Sequence, residues 1–280
     1  MAINYEVRYA ANPADVKNYD TDKLRKEFLI ERLFAEGEIN LVYSHYDRYI
    51  AGGATPVGGS LALEAIDPLK AEYFLERREL GIINVGGSGN VIVDNETFEL
   101  GYKEALYIGM GKKEIVFSSN ESGKPANFYL GSAPAHQAFP TKKITREDAE
   151  TVDLGSPESS NARTINKMIV NSVVQVNQLQ MGFTELKEGS VWNTMPCHTH
   201  DRRMEVYLYI EVPEDQAVCH FMGPTQETRH IWMKNKQAVI SPPWSIHAGS
   251  GTSNYTFVWA MAGENLDYGD MDKAQPFELK

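Results

Sequence analysis

The histidines that could bind a metal are concentrated in the second half of the chain. His198-Thr199-His200 is followed by Glu205, and His247 lies further on. Side chains alternate along a β-strand, so the two imidazoles of an H-x-H pair project to one face. A turn over 201–204 would place Glu205 on the neighbouring strand, facing the same interior, and His247 would add a third imidazole. Three imidazoles and a carboxylate suit a divalent transition metal, so this set predicts a metal site.

The other histidines and the two cysteines show no ligand spacing. Cys197 and Cys219 form neither a C-x-x-C pair nor a disulfide-rich pattern, and strand alternation turns Cys197 away from the H-x-H pair. This cysteine usage is typical of a reducing compartment, so we expect a cytoplasmic protein. We expect structural roles for four isolated histidines: His45, His136, His220 and His230.

The elements that must position the metal site are mostly short strands. One amphipathic helix is predicted over Thr21 to Phe34, with Thr21 as its N-cap. From about Tyr43 onward the pattern has a period of two, and β-branched and aromatic runs alternate with glycine, asparagine or proline. The stretch from Gly81 to Gly111 predicts a meander of antiparallel strands with turns at 86–89 and 94–95. The predicted fold class is therefore mainly all-β, with a short N-terminal helix.

The pattern along the chain indicates two β units. A polar segment from about Thr145 to Arg163 has no apolar period and indicates a boundary near residue 160. The run 77–80 resembles the run 202–206, which two related β-barrels would explain, and coincidence in charged turns is the alternative. The repeat would place Glu72 and Phe74 where the second half has its H-x-H pair. We therefore predict an N-terminal helix and barrel without metal ligands over residues 1–160, and a metal-binding barrel over residues 161–280.

Charge and hydropathy exclude further classes of protein. The chain has 280 residues, with 27 Lys and Arg against 38 Asp and Glu, which gives a formal charge of −11. Proteins that follow a phosphate backbone usually carry a basic face, so we expect no nucleic-acid partner. No apolar run approaches the roughly 20 residues of a membrane helix, and the opening MAINYEVRYA lacks the features of a signal peptide. We therefore expect neither export nor a membrane partner.

The histidine motif resembles the two metal motifs of the cupin superfamily. The first cupin motif is a glycine followed by H-x-H-x(3,4)-E, and the second is P-x-G-x-x-H-x(3)-N. His198, His200 and Glu205 match the first motif, and Pro242 and His247 match the second. The departures concern turns rather than ligands: Gly189 lying further upstream, Trp244 in place of the second-motif glycine, and Gly251 in place of the asparagine.

Along essentially its whole length, the chain resembles one cupin family, the 5-keto-4-deoxyuronate isomerases, also called 4-deoxy-L-threo-5-hexosulose-uronate ketol-isomerases. The resemblance implies two cupin-like antiparallel β-barrels (a bicupin), one zinc ion per subunit on His198, His200, Glu205 and His247, and a homohexamer. It also implies interconversion of 5-dehydro-4-deoxy-D-glucuronate and 3-deoxy-D-glycero-2,5-hexodiulosonate in the degradation of pectin and related uronates. The stretches that carry it are YEVRYA, YSHYDRYI, FLERRELGIINVGG, SAPAHQ, GSVWNTMPCHTHDRRMEVYLY, FMGPTQETRH, AVISPPWSIHAG and MAGEN.

The implied reaction sets requirements that particular residues could meet. An aldose–ketose interconversion passes through an enediol, so the site must stabilise an oxyanion and move protons, with zinc as a Lewis acid. Alternation from Glu205 places Tyr207 and Tyr209 on the interior face as candidate catalytic residues, with packing as the alternative. The substrate carboxylate needs a cationic partner, for which we favour Arg163 and Arg202. Two other arginines also lie close to the motifs: Arg203 and Arg229. A surface role is the alternative for all four arginines.

Two other functions fit the same ligand set. Three histidines and a glutamate on a cupin barrel also suit Fe(II) and oxygen activation, so an iron-dependent dioxygenase is one alternative. A non-catalytic protein that binds sugar acids, with a structural metal, is the other. Metal identity and turnover would separate these functions from the isomerase.

Overall fold

A computed structural model describes residues 3–264 and 267–280, and strands dominate it. The mainly β class is confirmed, while the two closed barrels stay a prediction. Among the described helices, none is long and apolar enough to cross a bilayer. The strands are β1 (Asn4–Arg8), β2 (Leu29–Ile30), β3 (Glu38–Ser44), β4 (Ile50–Thr55), β5 (Leu61–Ala62), β6 (Arg78–Asn84), β7 (Gly89–Val93), β8 (Glu96–Leu100), β9 (Ala105–Ile108), β10 (Ile115–Ser119), β11 (Phe128–Pro134), β12 (Lys142–Ile144), β13 (Glu150–Leu154), β14 (Arg163–Ile169), β15 (Leu179–Leu186), β16 (Trp192–Asn193), β17 (His198–Thr199), β18 (Arg203–Ile210), β19 (Val218–Met222), β20 (Arg229–Met233), β21 (Ala238–Ser241), β22 (Ala248–Gly251), β23 (Thr256–Gly263) and β24 (Asp272–Lys273).

The predicted N-terminal helix is shorter than its pattern indicates. Helix α2 begins at Thr21, but the N-cap is Asp20, whose carboxylate accepts a hydrogen bond from the Lys23 backbone N–H at 2.9 Å. The helix ends at Phe28 because Leu29 and Ile30 take extended conformations and pair with β21. Burial on a sheet edge therefore overrides the helical period over 29–34. The other helices are short: α1 (Pro13–Val16) and 3₁₀ turns over Asp67–Leu69 and Pro276–Glu278.

The chain forms two compact units built from non-contiguous segments. Among the described residues, unit 1 contains 3–8, 32–150 and 167–181, and unit 2 contains 9–31, 151–166, 182–264 and 267–280. These units and the predicted barrels divide the chain differently, because each unit contains segments from both sides of residue 160. That division into 1–160 and 161–280 stays a prediction.

The first pair of sheets lies in unit 1. One sheet has the strand order β1-β3-β4-β11-β6-β9-β12, and the other has the order β5-β10-β7-β8. The predicted turn at 94–95 is present, because Asp94 and Asn95 have positive φ angles and join β7 to β8 as an antiparallel pair. The predicted single meander is wrong, since β6 and β9 lie in one sheet and β7 and β8 in the other. The apolar inner faces form one core.

The second pair of sheets repeats this arrangement. Its strand orders are β13-β14-β15-β23-β18-β21-β2 and β16-β22-β19-β20, with β17 and β24 as a separate pair. In each seven-stranded sheet the fifth strand, β6 or β18, pairs antiparallel with both neighbours. These strands begin at Arg78 and Arg203, the arginines of the suspected sequence repeat. The shared order favours an internal repeat over coincidence.

Candidate metal centre

Four predicted ligands meet in the interior of unit 2. His198 begins β17, His200 directly follows that strand, Glu205 lies in β18, and His247 precedes β22. His198 Nε2 lies 3.1 Å from His200 Nε2 and 2.9 Å from His247 Nε2. Glu205 Oε2 lies 2.9 Å from His247 Nε2 and 3.4 Å from His200 Nε2. All four residues are buried, and their four donor atoms lie within 4.8 Å of one another.

These distances fit a metal site. Zinc ligands lie at about 2.0–2.2 Å from the ion, so ligand atoms that share one ion lie roughly 3–3.5 Å from each other. Burial, together with His247 and His200, lowers the pKa of His198 to about 2. Burial alone would raise the pKa of Glu205, but the imidazoles of His247 and His200 bring it below its ordinary value. His198 is therefore a neutral imidazole and Glu205 a carboxylate, the forms that bind metal.

Outer hydrogen bonds orient two of the imidazoles. His200 Nδ1 lies 2.8 Å from the Asp270 carbonyl oxygen, to which Arg203 Nη2 also donates at 3.2 Å. His247 Nδ1 lies 3.3 Å from Ser241 Oγ. Arg203 Nη2, which can only donate, lies 2.9 Å from the same His200 Nδ1. Such partners hold the ring orientation of a metal ligand.

A cavity of about 480 Å³ opens onto this cluster. Its walls combine an aromatic surface with two cationic side chains, Arg163 and Lys273, and with the carboxylate of Glu205. The volume lies in the range of small-molecule sites, and few convergent polar groups against apolar walls are typical of such sites. The remaining lining residues are Leu154, Ile165, Thr184, Thr194, Pro196, His198, His200, Tyr207, Phe257, Trp259, Met261, Tyr268, Met271 and Gln275.

Comparison with known proteins identifies the family to which this chain belongs. Residues 28–275 match the model of the KduI/IolB family. The chain belongs to this family. It is 65 % identical over 280 residues to the 4-deoxy-L-threo-5-hexosulose-uronate ketol-isomerase of Formosa agariphila, and 58 % identical over 280 residues to ketol-isomerase 1 of that name from Bacteroides thetaiotaomicron, covering 100 % of both chains in each case. The chain is thus a member of a family of isomerases.

Two solved structures resemble this KduI/IolB family member in fold. An IolB-like protein from Salmonella typhimurium aligns with a TM-score of 0.65 at 14 % identity, covering 82 % of this chain and 89 % of that one. Oxalate decarboxylase from Bacillus subtilis aligns with a TM-score of 0.55 at 10 % identity, covering 80 % and 71 %. At such identities the likeness concerns the fold alone.

The two predicted catalytic tyrosines of this family member have different surroundings. Both are buried, as the strand alternation predicts. Tyr207 lines the cavity, and its hydroxyl lies 2.9 Å from Thr194 Oγ1. The Tyr209 hydroxyl lies 2.8 Å from His220 Nδ1, and neither of these residues belongs to the described cavity lining. Burial raises the pKa of both phenols well above its ordinary value, so both remain protonated.

The predicted arginines also differ in their location and exposure. Arg163 lines the cavity, where its Nη1 donates to the Asn161 carbonyl oxygen at 2.8 Å. Arg202 is exposed and pairs with Glu264. Arg203 is buried against the metal cluster, and Arg229 donates to Glu227 at 2.7 Å.

Several cavity residues carry no sequence signal. Lys273 reaches the site because β24 pairs with β17, which places it opposite His198 in the register. Tyr268 and Trp259 pack with ring centroids 5.4 Å apart on the same cavity. These contacts join residues far apart in the chain, and periodicity does not report such pairs. The lone histidine His220, for which a structural role is predicted, is fully buried beside Tyr209.

Proposed function

We propose that this chain is a zinc-dependent 4-deoxy-L-threo-5-hexosulose-uronate ketol-isomerase. It would interconvert 5-dehydro-4-deoxy-D-glucuronate and 3-deoxy-D-glycero-2,5-hexodiulosonate in the degradation of pectin and related uronates. The observation that carries the proposal is the convergence of three histidines and Glu205 at a cavity that also holds Arg163 and Tyr207. The full-length identity to relatives of that name supports the choice of substrate.

The metal would be held by His198, His200, Glu205 and His247. When bound, zinc supplies a Lewis acid that polarises a carbonyl oxygen without redox chemistry. The Asp270 carbonyl and Ser241 hydroxyl hold the His200 and His247 rings in place. Glu205 stays ionised in its buried position, so the set combines three imidazoles with one anionic donor.

Tyr207 is the proposed catalytic residue for proton movement at the substrate oxygens. The reaction moves hydrogen between adjacent carbons, and the hydroxyl proton must move between the corresponding oxygens. The protonated Tyr207 hydroxyl can donate to the oxygen on which negative charge develops, and Thr194 holds that hydroxyl at 2.9 Å. Tyr209 would act behind it as a positioning residue, through its hydrogen bond with His220.

Arg163 is the proposed partner of the substrate carboxylate. It lines the cavity with its guanidinium tethered to Asn161, and a planar guanidinium matches a carboxylate with two hydrogen bonds. Lys273 provides a second positive charge in the same cavity. Arg202, already paired with Glu264 on the surface, is the weaker candidate for this role.

The proposal extends to the whole protein. We infer two cupin-like barrels, of which residues 161–280 hold the metal and residues 1–160 do not, in a homohexamer that works in the cytoplasm. The repeated strand order supports the two barrels, and the two free cysteines support a reducing compartment. Sedimentation analysis of the purified protein would test the hexamer.

Metal analysis combined with an isomerase assay tests the proposed function. We expect about one zinc per chain, loss of activity on chelation and recovery when zinc is restored. His198→Ala should lose both the metal and turnover, and full retention of both would exclude the proposal. Iron together with oxygen uptake would favour a dioxygenase, and uronate affinity without turnover would favour a binding protein.

A further inference from the structure

Unit 1 contains its own cavity, which is cationic. It has a volume of about 220 Å³ and is lined by Arg48, Arg77 and Arg78, with Tyr43 and Phe74 among its other walls. None of the described lining residues is acidic. The chain as a whole carries a charge of −11, so three arginines around one small cavity form a local positive region against the overall field.

Arg78 is a buried cation whose hydrogen bonds go to neutral acceptors. It is 5 % exposed. Its Nε donates to Ser132 Oγ at 3.1 Å, and its Nη2 donates to the carbonyl oxygens of Ser132 at 2.8 Å and Arg48 at 2.7 Å. Burial lowers its pKa to about 10, so it is still charged at neutral pH. Within residues 3–264 and 267–280, Arg78 forms no ion pair with a carboxylate.

The acidic groups nearest in sequence are occupied elsewhere. Glu79 is fully buried and accepts hydrogen bonds from the Tyr107 hydroxyl at 2.7 Å and from the backbone N–H groups of Asn177, Gln178 and Leu179 at 2.8 Å each. Glu76 lies 3.9 Å from Arg77 Nη2 and accepts from the Glu72 backbone N–H at 2.6 Å. Burying a charge without a counter-charge costs free energy. A ligand anion in the cavity would remove that cost.

The start of β18, in the second pair of sheets, corresponds to the start of β6 in unit 1, and the two differ in their charged residues. Arg203 begins β18 as Arg78 begins β6, and each strand is the fifth in its sheet. Two residues further on, β18 has Glu205, whereas β6 has Leu80. Unit 1 thus retains the guanidinium at this end of the strand without the carboxylate of the cation site. An arginine whose hydrogen bonds go to neutral acceptors, at a position without that carboxylate, suits an anion rather than a metal.

We propose that this cavity binds a small oxyanion, a carboxylate or a phosphate, with Arg78 as its buried anchor and Arg48 and Arg77 beside it. Arg77 is already oriented, because its Nη2 donates to the carbonyl oxygens of Leu69 at 3.1 Å and Lys70 at 2.7 Å. Guanidinium groups bind carboxylate and phosphate through paired charged hydrogen bonds. This site is separate from the metal cluster of unit 2 and does not depend on the proposed function.

Equilibrium dialysis of the full chain with labelled inorganic phosphate and labelled D-glucuronate tests the site, after EDTA has removed bound metal and gel filtration has removed the EDTA. Arg78 supports the backbone of Ser132 and Arg48, so the test variant is R48Q/R77Q, which leaves Arg78 in place. R32Q, in which a 70 % exposed arginine side chain of unit 1 is changed, is the matched control. We expect the wild type and R32Q to bind an anion at this site and R48Q/R77Q to bind it more weakly by about tenfold or more, and any anion held by Arg163 in unit 2 is common to all three proteins.

The two probes identify the source of the anion. Binding of phosphate alone would assign the site to an inorganic or phosphorylated anion, and binding of glucuronate alone to an organic acid, and either result supports the site. Binding of neither probe would overturn the proposal. Equal binding by the wild type and R48Q/R77Q would overturn it as well, as would displacement of the anion by uncharged D-glucose.

Discussion

At the scale of single residues, neighbouring side chains of one type differ in what they touch. Tyr207 and Tyr209 lie two residues apart on β18, with ring centroids 6.3 Å apart. The Tyr207 hydroxyl meets Thr194 at the cavity, whereas the Tyr209 hydroxyl meets His220 behind it. The strand pattern places both on the interior face, and only their contacts separate the proposed catalytic residue from the proposed positioning residue.

Removing the Tyr207 hydroxyl should therefore slow the reaction without removing the metal. We expect Tyr207→Phe to lower kcat by roughly 10²–10⁴, the usual contribution of a positioned acid or base, with zinc content unchanged. Tyr209→Phe is the matched control and should lose less than about tenfold. Steady-state isomerisation rates and metal analysis measure both effects. A Tyr207→Phe enzyme with wild-type kcat would remove Tyr207 from the mechanism.

The arginines allow a similar comparison. Arg163→Gln should raise KM for the uronate by about 10- to 150-fold, because a charged hydrogen bond contributes about 1.5–3 kcal/mol. Arg202→Gln removes the same charge from an exposed ion pair with Glu264, and such pairs contribute little, so its KM should change less than about threefold. Kinetic constants of the two variants measure the difference. If Arg202→Gln had the larger effect, the carboxylate assignment would pass to Arg202.

At the scale of elements, the start of α2 shows how a local signal can be one residue out of place. Thr21 and Asp20 are both good caps, and the sequence pattern favours Thr21. The structure places Asp20 in the extended conformation of a cap, with its side chain on the Lys23 N–H. Phe28, at the other end of the helix, packs edge-on against Trp244 with centroids 6.2 Å apart.

Substituting each candidate cap tests this geometry. Asp20→Ala should lower the free energy of unfolding by about 1 kcal/mol, which corresponds to a fall in Tm of roughly 2–4 °C. Thr21→Ala, which removes no capping hydrogen bond, should change Tm by less than about 1 °C, because exposed substitutions have small effects. Calorimetry of the two variants against the wild type measures both. The reverse order would restore Thr21 as the cap.

At the scale of the whole molecule, pH acts on stability through groups that are buried without charge. His220 is fully buried, and burial lowers its pKa to about 3, whereas an unfolded histidine has a pKa near 6.5. Between these two values the unfolded chain binds a proton that the folded chain does not. Stability therefore falls as the pH falls below about 6.5, and His220 lowers stability no further below about pH 3.

Replacing His220 should flatten this dependence. From pH 6.5 to pH 5 the histidine costs on the order of 1–2 kcal/mol of unfolding free energy, and His220→Asn retains an acceptor for Tyr209 but does not titrate. Urea titrations at the two pH values, with the wild type and the variant both treated with EDTA, measure the difference. Equal losses of stability in both proteins would contradict a neutral buried His220.

The β class and the grouping of His198, His200 and Glu205 could be predicted from local pattern, whereas the family was indicated by a resemblance along the whole chain. Side chains on a strand alternate with a period of two, so the imidazoles of His198 and His200 lie on one face once a strand forms. Glu205 follows after a short turn, on the next strand. Alternation also places Tyr207 and Tyr209 inside. Such inferences need only neighbours along the sequence.

Tertiary contacts decided the rest. Lys273 and Tyr268 reach the cavity from the C-terminal segment, Arg163 lines it while Arg202 does not, and β6 to β9 divide between two sheets. Each of these outcomes depends on which distant strands pair. A period of two shows which residues of a strand share a face, but it does not show which other strand lies beside it. The helix ends at Phe28 for the same reason, because the sheet edge that captures Leu29 and Ile30 comes from β21, about 200 residues later in the chain.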